Sequence, residues 1–170
     1  MATLSLIAFV LLFPSLVLNA QKSPPSRTQT KEVKVYFVYE NSEGPLVSGN
    51  LYALKRQVSK IAPLQGALEA LVADPTEEEA KQGYNSAAYT AGMKLASARI
   101  ERHIAYAYFT RPAIEGSAPD LASLKFEEAV TRTARQFPTV KKVVVCVNGQ
   151  MEFGIGLVED APKPCPREID

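Results

Sequence analysis

The feature that most constrains this fold is a helix-like pattern that stops at a proline and leads directly into a strand, over residues 126–149 (FEEAVTRTARQFPTVKKVVVCVNG). Pro138 has no backbone N–H and disfavours helical geometry in the residue before it, so the helix is predicted to end near Gln136–Phe137. The β-branched run Lys141–Asn148 then predicts a strand, closed by the turn dipeptide Asn148-Gly149. Before the proline, apolar residues recur at the three- and four-residue intervals of an amphipathic helix: Leu121, Leu124, Phe126, Val130, Ala134 and Phe137.

Two strands and one helix are predicted in the first half of the chain. Glu32–Tyr39 (EVKVYFVY) is rich in β-branched and aromatic residues and is predicted to be the first strand. Leu51–Val58 is predicted to be a second, short strand. Across Ala62–Ala73 apolar side chains share one helical face, with Pro63 in the first turn, where its missing N–H loses no bond. Asp74-Pro75 is predicted to end that helix.

The middle of the chain combines a helix start with a β-hairpin. Thr76–Glu79 has the capping-box pattern, a hydroxyl at the N-cap and a carboxylate three residues later. Lys94–Glu101 and His103–Thr110 are predicted to be paired strands, because side chains on the second of them alternate between two faces. The pair Arg102-His103 stands at the turn, and since neither residue readily takes a positive φ, a tight two-residue turn is not expected.

Together these elements predict an α+β domain in which two helices pack on one face of a small mixed sheet, in the order β-α-β-β-α-β, with additional edge strands left open. The second helix is assigned to Pro119–Phe137 and a final short strand to Met151–Val158. No second hydrophobic block and no internal repeat is present in the sequence, so one domain is expected over residues 31–158.

The two ends of the chain have a different composition from the domain. Leu4–Leu18 is an apolar run shorter than the roughly 18–20 residues that span a bilayer, so residues 1–20 are predicted to be a signal peptide. An uncleaved membrane anchor is the alternative. Residues 21–30 are predicted to be a flexible linker and residues 159–170 a proline-rich tail. The expected location is secreted or periplasmic, with no stable membrane insertion after the leader is cleaved.

Composition and motif searches exclude several classes of function. The net charge is only +1 and basic residues are scattered, so a nucleic-acid partner is not expected. His103 is the only histidine, which excludes a multi-histidine metal site. Glu77–Glu79 and Glu127-Glu128 are more simply a helix cap and a solvated face than a pair of catalytic acids. Phosphate-binding glycine motifs are absent from the sequence. We therefore predict a protein that is not an enzyme and uses no metal and no cofactor.

Four residues are candidates for a structural or binding role. Cys146 and Cys165 are predicted to form a disulfide if the chain reaches an oxidising compartment, the alternative being a buried Cys146 and a free thiol in the tail. Tyr106 and Tyr108 share one face of the predicted strand. If the helices cover the opposite face, the two rings form an exposed binding patch, and otherwise they belong to the core.

The two most specific segments, DPTEEEAKQG (Asp74–Gly83) and QFPTVKKVVVCVNG (Gln136–Gly149), closely resemble the GerMN domain of bacterial envelope proteins that act in sporulation and spore germination. The resemblance covers roughly Val33–Val158. It implies an α+β sandwich similar to the ring-building modules of sporulation and secretion complexes. It also implies a module that is not known as an enzyme.

The function implied by this resemblance is a secreted binding or assembly module of the cell envelope. Its expected partner is an envelope protein or peptidoglycan, and homo-oligomerisation is left open. Two other classes remain as alternatives: a cell-wall hydrolase or its accessory, and a small-molecule carrier with a closed apolar pocket.

Overall fold

The computed structural model describes residues 29–40, 50–88, 92–112, 120–151 and 163–166. The predicted signal peptide, nearly all of the predicted linker and the predicted final strand after Met151 lie outside these residues. Among the residues described, no helix is both long enough and apolar enough to cross a bilayer.

The first sheet is antiparallel, with its strands in the order β2-β1-β3. β1 and β2 pair along their whole length, from Thr30 opposite Ser59 to Val38 opposite Leu51. Alternate side chains in the middle of β1, those of Val33, Val35 and Phe37, are buried, as expected of a strand with one face on the core. The three strands are β1 (Thr30–Tyr39), β2 (Leu51–Ser59) and β3 (Tyr84–Asn85).

The second sheet is mixed, with its strands in the order β4-β5-β6. β4 and β5 form an antiparallel hairpin with a bulge between Leu95 and Ser97, and β6 lies parallel to β5. A parallel neighbour requires a long crossover connection, and a helix supplies it here. The strands are β4 (Lys94–Glu101), β5 (Ile104–Thr110) and β6 (Lys142–Val147).

Within the residues that the structure describes, three helices accompany the sheets, at Pro63–Val72 (α1), Glu77–Lys81 (α2) and Asp120–Arg135 (α3). α1 begins with a proline in its first turn, and α2 has the complete capping box predicted from the sequence. α3 ends just before Pro138, as its sequence predicts. Both long helices contact β1, and one hydrophobic cluster joins them to residues of both sheets.

The α+β class is confirmed, while the strands are divided between two small sheets rather than placed in one. Part of the reason is a side chain that no local pattern identifies. The Gln136 side chain accepts a hydrogen bond from the Lys34 N–H and donates one to the Lys34 carbonyl, both 2.8 Å long. Gln136 therefore occupies the edge of β1 at this point, where a further strand would otherwise pair.

The turn between β4 and β5 corrects one expectation. Arg102 and His103 take positive φ values of 47° and 67° and form the tight two-residue turn that their side chains disfavour. Tertiary hydrogen bonds hold it, since the His103 carbonyl accepts from the N–H groups of Lys141 and Lys142 at 2.8 and 3.2 Å. The predicted turn at Asn148-Gly149 is also present, with φ values of 49° and 81°.

Candidate binding surfaces

The two faces of β5 have different neighbours. Ala105, Ala107 and Phe109 are buried in the main core, on the side of the helices. Tyr106 and Tyr108 lie on the opposite face, with Val144 and Cys146 of the neighbouring β6 beside them. The helices thus cover the face of β5 opposite Tyr106 and Tyr108, which is the arrangement in which the two rings were expected to be exposed.

A segment from the C-terminal part of the chain covers this outer face instead. Cys146 and Cys165 are joined by a disulfide, with their Cα atoms 5.9 Å apart. The Cys165 N–H donates to the Gly149 carbonyl, and the Met151 N–H donates to the Lys163 carbonyl, each at 2.9 Å. We call residues 163–166, held by these bonds and the disulfide, the C-terminal clasp.

The clasp changes the environment of the predicted tyrosine patch. Tyr108 is only 9% exposed, and its hydroxyl donates a 2.9 Å hydrogen bond to the Pro166 carbonyl. Tyr106 is half-buried, and the guanidinium of Arg99 lies 4.8 Å from its ring centroid. The pair is therefore not the open patch expected if the helices covered the other face, because the clasp and Arg99 already occupy much of it.

A more open surface lies along β2, which is at the edge of the first sheet. In the described part of the chain, β2 pairs with β1 alone and its other side carries no strand. A groove of about 550 Å³ runs between β2 and α1. On its helix side the groove is lined by the hydrogen-bonded pair Gln65 and Glu69 and by small residues of α1 and its two caps, Ala62, Gly66, Ala70 and Ala73.

The small residues of α1 allow helix and strand to approach closely. A Cβ atom added to Gly66 would lie 2.9 Å from the Cβ of Val58 on β2, nearer than two carbon atoms can pack. Glycine at this position is thus required by the contact between the two elements. The spacing of alanine and glycine along α1 is the sequence signal that could have identified the groove, but apolar periodicity alone does not show it.

One ion pair fixes β2 against the first turn of α2. Arg56 donates to both carboxylate oxygens of Glu79, at 2.8 and 2.6 Å. The same carboxylate accepts from the Thr76 N–H in the capping box, so one side chain closes a helix and holds a strand. Hydrogen bonding to Arg56 is the main cause that lowers the pKa of Glu79, and it outweighs the opposing effect of burial. The sequence predicted the cap but not the arginine, which lies 23 residues away.

The histidine and the glutamates that were considered as catalytic candidates make contacts of the kind that hold a fold together. His103 is exposed in the hairpin turn, with its Nδ1 atom 3.0 Å from the Thr139 carbonyl oxygen. Glu128 accepts a 2.8 Å bond from Arg132 one turn later on α3. Burial, and then the charge of the adjacent Glu128, raise the pKa of Glu127. No group of three or more potential metal ligands occurs among the described residues.

Comparison with known proteins adds a family and a set of related folds. The family described as "Germane: Sporulation and spore germination" matches residues 34–152. A solved structure of the first GerMN domain of the sporulation protein GerM from Bacillus subtilis is 20% identical, with a TM-score of 0.53 over 81% of this chain and 95% of that one.

The tandem GerMN domains of the same Bacillus subtilis protein are 18% identical, with a TM-score of 0.52 over 86% of this chain. This chain spans half the length of the tandem structure. At such identities these structures support a shared fold alone. The search of curated proteins gave no significant match.

Proposed function

The chain belongs to the Germane family of sporulation and spore germination domains. We propose that it is a non-enzymatic binding module of the bacterial cell envelope, working outside the cytoplasm. Its role is to contact another envelope protein during assembly. The observation that carries this proposal is the edge of β2, which is nine residues long and lies beside an open groove. An exposed strand edge of this kind is a ready site for pairing with another chain.

The Cys146–Cys165 disulfide supports a location outside the cytoplasm. Disulfides persist in oxidising compartments and are rare where cytoplasmic thiols keep cysteines reduced. The apolar run Leu4–Leu18 supports the same location, because it has the length of a signal-peptide core.

The environments of the acidic residues support a role without catalysis. Glu79 is committed to Arg56 and to the cap of α2, and Glu128 is paired with Arg132. A hydrolase that cuts the sugar chains of the cell wall ordinarily uses two carboxylates that flank the scissile glycosidic bond. The described residues offer no such arrangement around the groove, where Glu69 is the only acidic side chain.

Crosslinking in intact cells, followed by mass spectrometry of everything attached to the protein, tests this proposal. We expect the same envelope protein to be recovered in repeated experiments. Recovery of wall fragments alone would move the binding target to peptidoglycan. Release of soluble fragments from purified peptidoglycan, abolished by one Glu→Gln change, would instead show a hydrolase and overturn the proposal.

A further inference from the structure

We propose that β2 binds one extended peptide segment of a partner protein by adding it as a new edge strand. The segment is one in which apolar residues alternate with acidic residues. The apolar side chains enter the groove beside α1, and the acidic ones lie next to Lys55 on the other face. This inference rests on the proposed binding function and names the element and the chemistry of the partner.

The backbone of β2 has hydrogen-bonding groups directed away from β1. The N–H and carbonyl of Lys34 are both bonded to Gln136, so they point away from β2, and Lys55 is the residue directly opposite Lys34. In an antiparallel pair, the backbone N–H and carbonyl of one residue bond to the partner strand, and those of the next residue point away from it. The outward set on β2 is therefore Leu51, Ala53, Lys55, Gln57 and Ser59. Within this set the Lys55 carbonyl also accepts a 3.0 Å hydrogen bond from the Arg56 guanidinium, and its second lone pair is the one left for an added strand.

The groove provides space for the side chains of an added strand. In the pairing with β1, Leu54, Arg56 and Val58 share the face that turns towards the core. Arg56 and Val58 also line the groove, whose opposite wall is the small-residue side of α1. An added strand would place every second side chain on this face, so small or medium apolar residues fit there.

Two large apolar side chains lie at the ends of this edge. Tyr52 near the start of β2 is 42% exposed, and Ile61 just after its end is 92% exposed. Ile61 is next to Ala62, which lines the groove, and its N–H is bonded to the Ser59 hydroxyl. Exposed apolar groups at both ends of a free strand edge are consistent with contact along the whole strand.

Charge distinguishes a foreign segment from a second copy of this chain. A symmetric antiparallel pairing that used the full length of β2 would be centred on Lys55 and would place two lysines opposite each other, which is unfavourable. The Lys55 side chain is 72% exposed, although its ammonium lies 2.9 Å from a carboxylate oxygen of Glu32. Acidic side chains on the outer face of the added strand would complement Lys55.

Blocking one backbone donor tests the strand pairing directly. Gln57→Pro removes an outward N–H without removing a bond to β1, and proline is tolerated on an edge strand at such positions. Gln57→Ala is the matched control, because it shortens the same side chain and keeps the N–H. Thermal unfolding checks that both variants remain folded.

Ala73→Phe is a second way to block the site, because Ala73 is exposed and lines the groove.

The probe is a synthetic nine-residue peptide of alternating valine and glutamate, as long as β2 itself. Binding to the full chain is followed by NMR of its backbone amides. Changes in chemical shift are expected at Ala53, Lys55 and Gln57. Gln57→Pro and Ala73→Phe should each weaken binding by about tenfold or more, and Gln57→Ala by less than about twofold. A peptide with lysine in place of glutamate should bind about tenfold more weakly.

Equal binding of the acidic and basic peptides, or binding unaffected by Gln57→Pro, would overturn the inference. Saturable binding of the chain to itself at the same amides would show that a second copy is the occupant. The cell crosslinking experiment separates this inference from the proposed function. A partner that is still captured by Gln57→Pro leaves the binding function standing and removes β2 as its site, whereas no captured partner in the unmodified protein removes both.

Discussion

At the scale of single residues, Arg102 and His103 adopt a backbone conformation that few residues with side chains take. Their positive φ values are imposed by the two-residue connection between β4 and β5. A residue with a Cβ atom in this region costs about 1–2 kcal/mol. The hydrogen bonds from the start of β6 to the His103 carbonyl offset this cost in the folded protein.

Replacing Arg102 by glycine should stabilise the domain. Glycine removes the steric cost at φ 47°, and its greater freedom in the unfolded chain takes back part of the gain, leaving about 0.5–1 kcal/mol. Urea unfolding of the two proteins measures the difference. Arg102→Ala is the control, since it removes the same charge and keeps the Cβ atom. An equal gain from alanine would mean that charge, and not backbone conformation, limits this turn.

Glu79 is the residue whose protonation should most affect stability in acid. Its pKa is lowered in the folded protein, chiefly by the hydrogen bonds from Arg56, so the unfolded chain binds the proton more readily. The stabilisation is therefore complete above the unfolded value of about 4.5 and is lost as pH falls through the lower folded value.

The variant Glu79→Gln should lower the free energy of unfolding by about 1–2 kcal/mol at neutral pH, because it removes the charge that Arg56 is bonded to. Its difference from the unmodified protein should shrink below about pH 4.5, where the wild-type carboxylate is itself lost. Denaturant unfolding across a pH series measures both. Glu78→Gln, at an exposed position in the same turn, should cost no more than about 0.5 kcal/mol. A Glu79→Gln deficit that stays constant down to strongly acid pH would contradict this account.

At the scale of elements, local patterns predicted most helices and strands, and long-range contacts decided the rest. The end of α3, the capping box of α2 and the Asn148-Gly149 turn each depend on neighbouring residues, so the sequence contains enough information to find them. The division into two sheets is accompanied by a contact that no local pattern contains, that of the Gln136 side chain with the backbone of Lys34, 102 residues away. No periodicity carries that information.

The packing of α1 on β2 gives a prediction at this scale. Alanine normally stabilises a helix relative to glycine by about 1 kcal/mol, but at Gly66 its Cβ would collide with the rigid side chain of Val58. Crowding of this kind costs about 1–3 kcal/mol, so Gly66→Ala should destabilise the domain. A double-mutant cycle with Val58→Gly, which removes the Cβ atom that the new methyl group would meet, measures the coupling by urea unfolding. In that background Gly66→Ala should be neutral or stabilising, and stabilisation in the unmodified protein would show that α1 can move away.

At the scale of the whole molecule, the clasp determines which surfaces are available. The sequence placed the two tyrosines on one face correctly, because alternation along a strand is local. It did not show that the clasp lies over Tyr108, since the contact depends on where a segment far along the chain returns. That β2 pairs with β1 alone among the described strands is likewise visible only once strand order is known.

Removing the disulfide should loosen the clasp while leaving the main core intact. Cys165→Ser opens a covalent link between residues 19 apart, which should cost about 3 kcal/mol in the chain-entropy account. Urea unfolding with and without a thiol reductant is the measurement, together with peptide mapping under non-reducing conditions. The unmodified protein in reductant should match Cys165→Ser, which should itself be insensitive to reductant. Equal stability of all four samples would mean that the clasp is held by its hydrogen bonds alone.

The parallel pairing of β5 and β6 has a consequence for the order in which the chain is made. β5 ends at Thr110 and β6 begins at Lys142, with α3 between them. While a ribosome or a translocation channel delivers the intervening residues, the side of β5 that will receive β6 has no partner strand. A nascent chain at that stage presents an unpaired strand edge. The yield of folded protein should therefore depend on a chaperone that shields β5 until residue 147 has emerged.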